Sequence, residues 1–170
     1  MPGSFPPITI CKAGENEIPL IQQIAEQTWP VAYGGILSPE QLAYMLERIY
    51  SLAPLTEQIR GGLHQFVIAY EGGGRAVAFA DYGNILPNTY KLHKIYALPD
   101  QQGKGLGKML VAYVSEEIKK LGATHLRLNV NRHNPAKQFY EHLGFSVLYE
   151  ADIDIGNGFF MNDYIMEKKV

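Results

Sequence analysis

Gly103, Gly105 and Gly107 fall at alternate positions in the run Gln102-Gly103-Lys104-Gly105-Leu106-Gly107-Lys108. Glycines spaced this way remove side chains where the backbone turns and let a ligand come close to the amides. An apolar run, Leu92 to Leu98, precedes the loop and reads as a strand. After it, apolar residues at Leu106, Met109, Leu110, Tyr113, Val114, Ile118 and Leu121 recur at i, i+3, i+4 spacing, one face of an amphipathic helix. The unit is therefore strand, glycine-rich turn, helix. The first amides of a helix have no partner of their own and carry partial positive charge, which suits a phosphate or pyrophosphate. Lys104 and Lys108 add full charges beside it.

Two common phosphate motifs do not fit. A P-loop needs glycine, four residues, then Gly-Lys-Ser/Thr. Here Gly107-Lys108 is followed by Met109, and the position five before Gly107 is Gln102. A dinucleotide fingerprint needs G-x-G-x-x-G, and the spacing here is G-x-G-x-G. Taken alone, the loop is also readable as a plain turn before a helix. A second segment decides between these readings: Asn134-Pro135-Ala136-Lys137-Gln138-Phe139-Tyr140-Glu141-His142-Leu143-Gly144-Phe145.

Gln102-x-x-Gly105-x-Gly107 resembles the Q/R-x-x-G-x-G/A signature of the GNAT N-acetyltransferase superfamily. The second segment resembles that family's N-x-x-A-x-x-x-Y-x-x-x-G-F at every named position. The resemblance implies acetyl-CoA as co-substrate, with the amides of Gln102, Gly103, Lys104, Gly105, Leu106, Gly107 and Lys108 around its pyrophosphate. It also implies that Asn134 bonds the pantetheine arm, with Lys137 nearby. Backbone groups of Tyr96, Ala97 and Leu98 are expected to pair with that arm like an added strand. Tyr140 is expected beside the thioester sulfur as general acid. The implied chemistry is acyl transfer to an amine, which is a nucleophile only when neutral. Neutralising an alkyl amine of pKa about 10.4 at pH 7 costs roughly 4 to 5 kcal/mol, so a base is needed. Relatives often carry Glu where this chain has His93. His93 is a candidate base, since histidine titrates near neutrality, and an exposed strand residue is the competing reading. The carbonyl oxygen needs a donor, and a backbone N–H near Ala97 is the candidate.

Charge is uneven along the chain. The net formal charge is −2 over 170 residues, which argues against a general nucleic-acid partner. Yet Lys91 to Lys137 holds nine Lys/Arg against three Asp/Glu, and the remainder holds six against fourteen. The basic segment contains the phosphate loop, and the acidic remainder favours a cationic second ligand. The single cysteine, Cys11, excludes an internal disulfide framework and offers no metal cluster; it reads as a buried strand residue. Neither a membrane span nor a signal peptide is expected, so the chain reads as cytoplasmic, acting alone or as a homodimer on small molecules.

The positioning elements follow from pattern. A flexible start, 1–7, precedes a strand at Ile8 to Ala13. A helix at Asn16 to Trp29 is expected to end at Pro30. Ser38-Pro39-Glu40-Gln41 starts a second helix, with Ser38 as N-cap and Gln41 closing a capping box, and it runs to about Tyr50. Ser51 to Gly62 is ambiguous, with a helical turn at most. Strands follow at Phe66 to Tyr70, Ala76 to Ile85 and Tyr90 to Leu98, then the loop and its helix to Gly122. After a strand at Leu126 to Val130 and a short helix at Pro135 to His142 come strands at Phe145 to Ile155 and Phe159 to Glu167. One domain, 1–170, is expected, of the α/β class: a three-layer α/β/α GNAT fold with a mixed, mostly antiparallel central sheet. Trp29, Tyr33, Tyr44, Phe159 and Phe160 are candidate walls for the acceptor. Thr28 to Leu46 and Phe159 to Lys168 resemble bacterial PaiA-type polyamine N-acetyltransferases, which implies a small cationic amine as acceptor. Transfer to a protein amine, or a GNAT fold that binds acyl-CoA without turnover, are the alternatives.

Overall fold

The computed structural model describes residues 4–170. Of the expected flexible start, residues 1–3 lie outside the described residues, and residues 4–7 carry no regular structure. The order is β1 (Ile8–Ala13), α1 (Ile18–Tyr33), α2 (Pro39–Tyr50), α3 (Leu52–Gly61), β2 (Gln65–Glu71), β3 (Arg75–Leu86), β4 (Thr89–Ala97), α4 (Leu106–Lys120), β5 (His125–Asn131), α5 (Ala136–His142), β6 (Ser146–Gly156) and β7 (Phe159–Lys169). The seven strands form one sheet in the order β1-β2-β3-β4-β5-β7-β6. Every neighbouring pair is antiparallel except β4 and β5, which run parallel. Consecutive residues of β2 (Phe66 to Ala69) and β3 (Val77 to Tyr82) are buried. Adjacent side chains on a strand point to opposite faces, so both faces of the sheet centre are covered, giving the expected three-layer α/β/α architecture. No helix among the described residues is long and apolar enough to cross a membrane.

Four local expectations change. Helix α1 continues through Pro30 to Tyr33. Proline inside a helix costs about 3 kcal/mol, and packing offsets it: Trp29 and Tyr33, one turn apart, are both buried and stack at 4.6 Å. Pro30 itself faces solvent, where water can satisfy the freed carbonyl one turn earlier. The ambiguous stretch after Tyr50 is a full helix, α3, closed by Gly62 at φ 73°. Ser38 does cap α2, accepting from Gln41 N–H at 3.1 Å. Gln41 does not complete the capping box; its side chain leaves the cap and donates to Phe160 O at 3.1 Å. Cys11 is exposed rather than buried, because β1 is an edge strand and residue 11 falls on its open face.

Candidate active site

The site begins where β4 and β5 part. Their parallel ladder runs only from Thr89↔His125 to Leu92↔Leu128. Beyond it, β5 stays with β7 through Asn131, while β4 stays with β3 through Ala97. A bulge sets the divergence: Lys94 pairs with Asp81 and Leu92 with Tyr82, leaving His93 as the extra residue. Leu98 N–H donates to Val77 O at 2.9 Å, and Leu98 O accepts from Gln101 N–H at 2.9 Å. The Leu98 N–H is therefore taken and its C=O already accepts one bond, whereas both were expected to pair with the cofactor arm. In an antiparallel pair, alternate residues turn their N–H and C=O to the same side. Tyr96 thus faces β3, and Ile95 and Ala97 present their backbone groups to the split.

The glycine-rich loop closes the wide end of that split. Gly103 and Gly105 adopt φ 81° and 80°, a left-handed turn that glycine takes without strain. Among the described residues, the backbone N–H groups of residues 103–108 donate to no protein group; the first helical bond is Met109 N–H to Gly105 O at 3.0 Å. A row of free donors at a helix N-terminus fits a pyrophosphate. At Gly107 a Cβ would lie 3.0 Å from the Phe139 ring, so α4 and α5 approach closely there. Arg75 holds the start of the loop by pairing with Asp100 at 2.9 Å.

A cavity of about 670 Å³ fills the split. Loop residues Gln102, Gly103, Gly105, Leu106 and Gly107 line it, as do His93, Tyr96 and Ala97 from β4. Asn134 and Tyr140 close the far wall. The two sequence motifs, some thirty positions apart, thus meet across one space. Asn134 Oδ1 accepts from Ala136 N–H at 2.9 Å, which starts α5 and fixes the side chain. Tyr140 is buried with its ring edge-on to Phe139 and Phe145, and among the described residues its hydroxyl bonds no protein group. Burial raises its pKa above the usual tyrosine value, so it stays protonated and can give a proton. Lys104, Lys108 and Lys137 stand outside this lining: Lys104 lies over the Phe5 ring, Lys108 is exposed, and Lys137 lies 3.5 Å from Glu141.

A second cavity of about 310 Å³ adjoins the first, and both are lined by Tyr33, Tyr96, His93, Lys94 and Asn129. The Tyr33 and Tyr96 hydroxyls bond each other at 2.9 Å at this junction. Trp29 and Tyr50 form the aromatic end, tied by Trp29 Nε1 to Tyr50 Oη at 3.2 Å. Asp163 also lines this space; it is 5% exposed, and its Oδ1 has no partner. Phe159 lines neither cavity and packs on Tyr44 at 5.5 Å, and Phe160 is half-exposed. Among the described residues no group of three or more His, Cys, Asp or Glu is placed to hold a metal ion.

Burial lowers the pKa of His93 to about 4, with His64, Lys91 and Lys94 adding to the shift against an opposing pull from Asp81. His93 is therefore neutral at pH 7 and a weak proton acceptor. Beside it lies a cluster that the sequence reading missed. The carboxylate of Asp81, fully buried, accepts from Lys94 Nζ and from His64 Nδ1, each at 2.7 Å. The turn at residues 72–74 alone would set Phe66 opposite Ala80; a bulge between Ala69 and Tyr70 shifts the register by one, sets Phe66 opposite Asp81 and brings His64 next to that carboxylate.

Residues 62–147 match the family described as Acetyltransferase (GNAT) domain. The spermidine N(1)-acetyltransferase of Thermoplasma acidophilum is 29% identical, over 95% of this chain and 97% of that protein. The crystal structure of the PaiA N-acetyltransferase from Thermoplasma acidophilum in complex with coenzyme A superposes with a TM-score of 0.83 at 28% identity, over 96% of this chain and 99% of that one. A GCN5-related N-acetyltransferase from Rhodopseudomonas palustris shares the fold at a TM-score of 0.81 and 19% identity, over 100% and 99% of the two chains. With the split sheet, the free loop amides and both motifs on one cavity, the chain belongs to the GNAT family of acetyl-CoA-dependent N-acetyltransferases.

Proposed function

We propose that the acceptor is a small cationic amine, with polyamines such as spermidine the leading candidates. The observation that carries this reading is Asp163. Its carboxylate is buried among aromatic walls in the second cavity, and one oxygen is unsatisfied. Burial raises its pKa, so an ammonium group arriving there restores the charged form and supplies the missing bond. Trp29 and Tyr33 add faces that attract cations. The similarity to a spermidine N(1)-acetyltransferase and the acidic surplus outside residues 91–137 support the same reading.

In this reading the loop amides from Gly103 to Lys108 hold the pyrophosphate, the Gln102 N–H being taken up by Pro99 O; Lys104 and Lys108 neutralise it, and Asn134 and the Ala97 backbone hold the pantetheine arm. Acetyl-CoA supplies the activated acetyl thioester. The N–H of Ala97 stabilises the carbonyl oxygen as it gains charge. Tyr140 gives its proton to the departing sulfur.

Lys91 favours a second reading. It lines the same cavity and, among the described residues, makes no side-chain hydrogen bond, whereas the charge of Lys94 is matched by Asp81. An amine bearing a carboxylate close by, such as an amino acid, would meet Lys91. A panel of spermidine, spermine, amino acids, peptides and nucleotide-linked amino sugars, assayed by thiol release, separates the readings. A polyamine should give the highest kcat/KM, and its lead should shrink with salt, since exposed charges more than about 10 Å apart are screened at 0.1 M. Asp163→Asn should raise the KM for the polyamine tenfold or more. An acidic acceptor in the lead, or an unchanged KM in the variant, overturns the proposal.

A further inference from the structure

We propose that His64, held by the buried carboxylate of Asp81, is the base that takes the proton from the acceptor's ammonium group. The inference rests on transfer to an amine, not on which amine.

Only about 1 in 2,500 molecules of an alkyl amine of pKa 10.4 is neutral at pH 7, so the site gains by removing that proton itself. His64 lines the acceptor cavity, and its side chain is 21% exposed. A carboxylate only accepts hydrogen bonds, so the contact to Asp81 Oδ2 at 2.7 Å puts the neutral ring's proton on Nδ1. The lone pair is then on Nε2, at the opposite edge of the ring, and among the described residues no protein group bonds it. This is the division of labour in a carboxylate–histidine pair: one fixes the tautomer and orientation, the other accepts the proton. Lys94 donates to the same oxygen at 2.7 Å and to Gln58 Oε1 at 2.9 Å, so the carboxylate has a positive partner besides the ring.

The surroundings can also carry the imidazolium once formed. Facing it are the ion pair of Asp81 from β3 with Lys94 from β4, and across the cavity Lys91 from β4 and Asp163 from β7, each of which burial pushes toward its neutral form. Gln58 from α3 and Phe66 from β2 bring none, and the ring of His93, tilted against His64 at 4.3 Å, is neutral above about pH 4. The proton count closes. The ammonium gives one proton to Nε2, and the free amine forms the C–N bond as the C–S bond breaks. Tyr140 protonates the sulfur and is refilled by the second proton leaving nitrogen. His64 then releases its proton to solvent.

His64→Asn is the test, because its side-chain N–H can still donate to Asp81. Coenzyme A affinity by calorimetry and the thermal melt report on the fold. The acceptors are the alkyl amine that wild type turns over fastest, whatever the panel shows, and an O-alkyl hydroxylamine, which arrives uncharged at pH 7. The variant should lose 10²- to 10⁴-fold in kcat/KM with the alkyl amine, less than tenfold with the uncharged nucleophile, and recover with added imidazole. Wild type should show an acid limb in its kcat/KM–pH profile with the alkyl amine, and the variant should lack it. His64→Gln repeats the measurement if the asparagine variant melts early. A loss below threefold with the alkyl amine, or equal losses with both acceptors and no imidazole rescue, overturns the proposal.

Discussion

Replacing Tyr140 by Phe removes one oxygen from the wall of the cofactor cavity. The ring keeps its edge-on contacts with Phe139 at 5.2 Å and Phe145 at 5.8 Å. The hydroxyl bonds no protein group among the described residues, so its loss should change stability by less than about 1 kcal/mol. The rate effect is of another size. A positioned acid is worth 10²- to 10⁴-fold, about 2.7 to 5.4 kcal/mol of barrier. Burial raises the pKa of Tyr140 in the folded protein. A raised value means that the proton is held at every pH below the ordinary tyrosine value, so this group should cause no alkaline fall in kcat up to about pH 10. Its linkage to stability is nil below the ordinary tyrosine value; stability falls as pH climbs from there to the raised value, because the unfolded chain gives up the proton first. The assay is thiol release with both substrates saturating, with a single-turnover measurement to show that chemistry limits the rate. Calorimetry with coenzyme A should give unchanged affinity. A Tyr140→Phe enzyme within threefold of wild type in single turnover would refute the acid role and leave the side chain as packing.

Gly105→Asp sets a carboxylate at the loop amides; an added Cβ meets nothing within 4 Å, so charge and the φ of 80° dominate. Coenzyme A should bind at least tenfold more weakly, at least about 1.4 kcal/mol, with the fold retained though the melt falls because the left-handed φ strains a non-glycine residue; equal calorimetric affinity would contradict the loop's role. Gly83→Ala drives a Cβ to 1.9 Å from Leu63 O. The backbone before His64 must move, so urea denaturation should show a loss of about 3 kcal/mol, and an unchanged midpoint would refute that packing.

Much of the site was legible because it is local. The loop and α4 depend on glycine spacing and one helical face, and α5 carries its own start signal at Asn134. What stayed hidden depends on neighbours far along the chain. Pro30 looked like a stop until Trp29 and Tyr33 found a shared core. Gln41 looked like a cap until Phe160 offered its carbonyl. Cys11 looked buried because strand pattern alone does not tell an edge from a centre. The pairing of His64 with Asp81 lies on no motif and emerges only from the register of a hairpin.

The short β4–β5 ladder also bears on how the molecule moves. It joins the sheet's first four strands to its last three through four residue pairs, Thr89↔His125 to Leu92↔Leu128. Two blocks of sheet held by so brief a seam can open as separate cooperative units below the cost of global unfolding. In the proposed mode of binding, coenzyme A would bridge Ala97 on one block and Asn134 on the other and lock the seam from outside. Its binding energy would then add to the cost of opening by mass action, making the co-substrate a brace for the fold as well as a reagent.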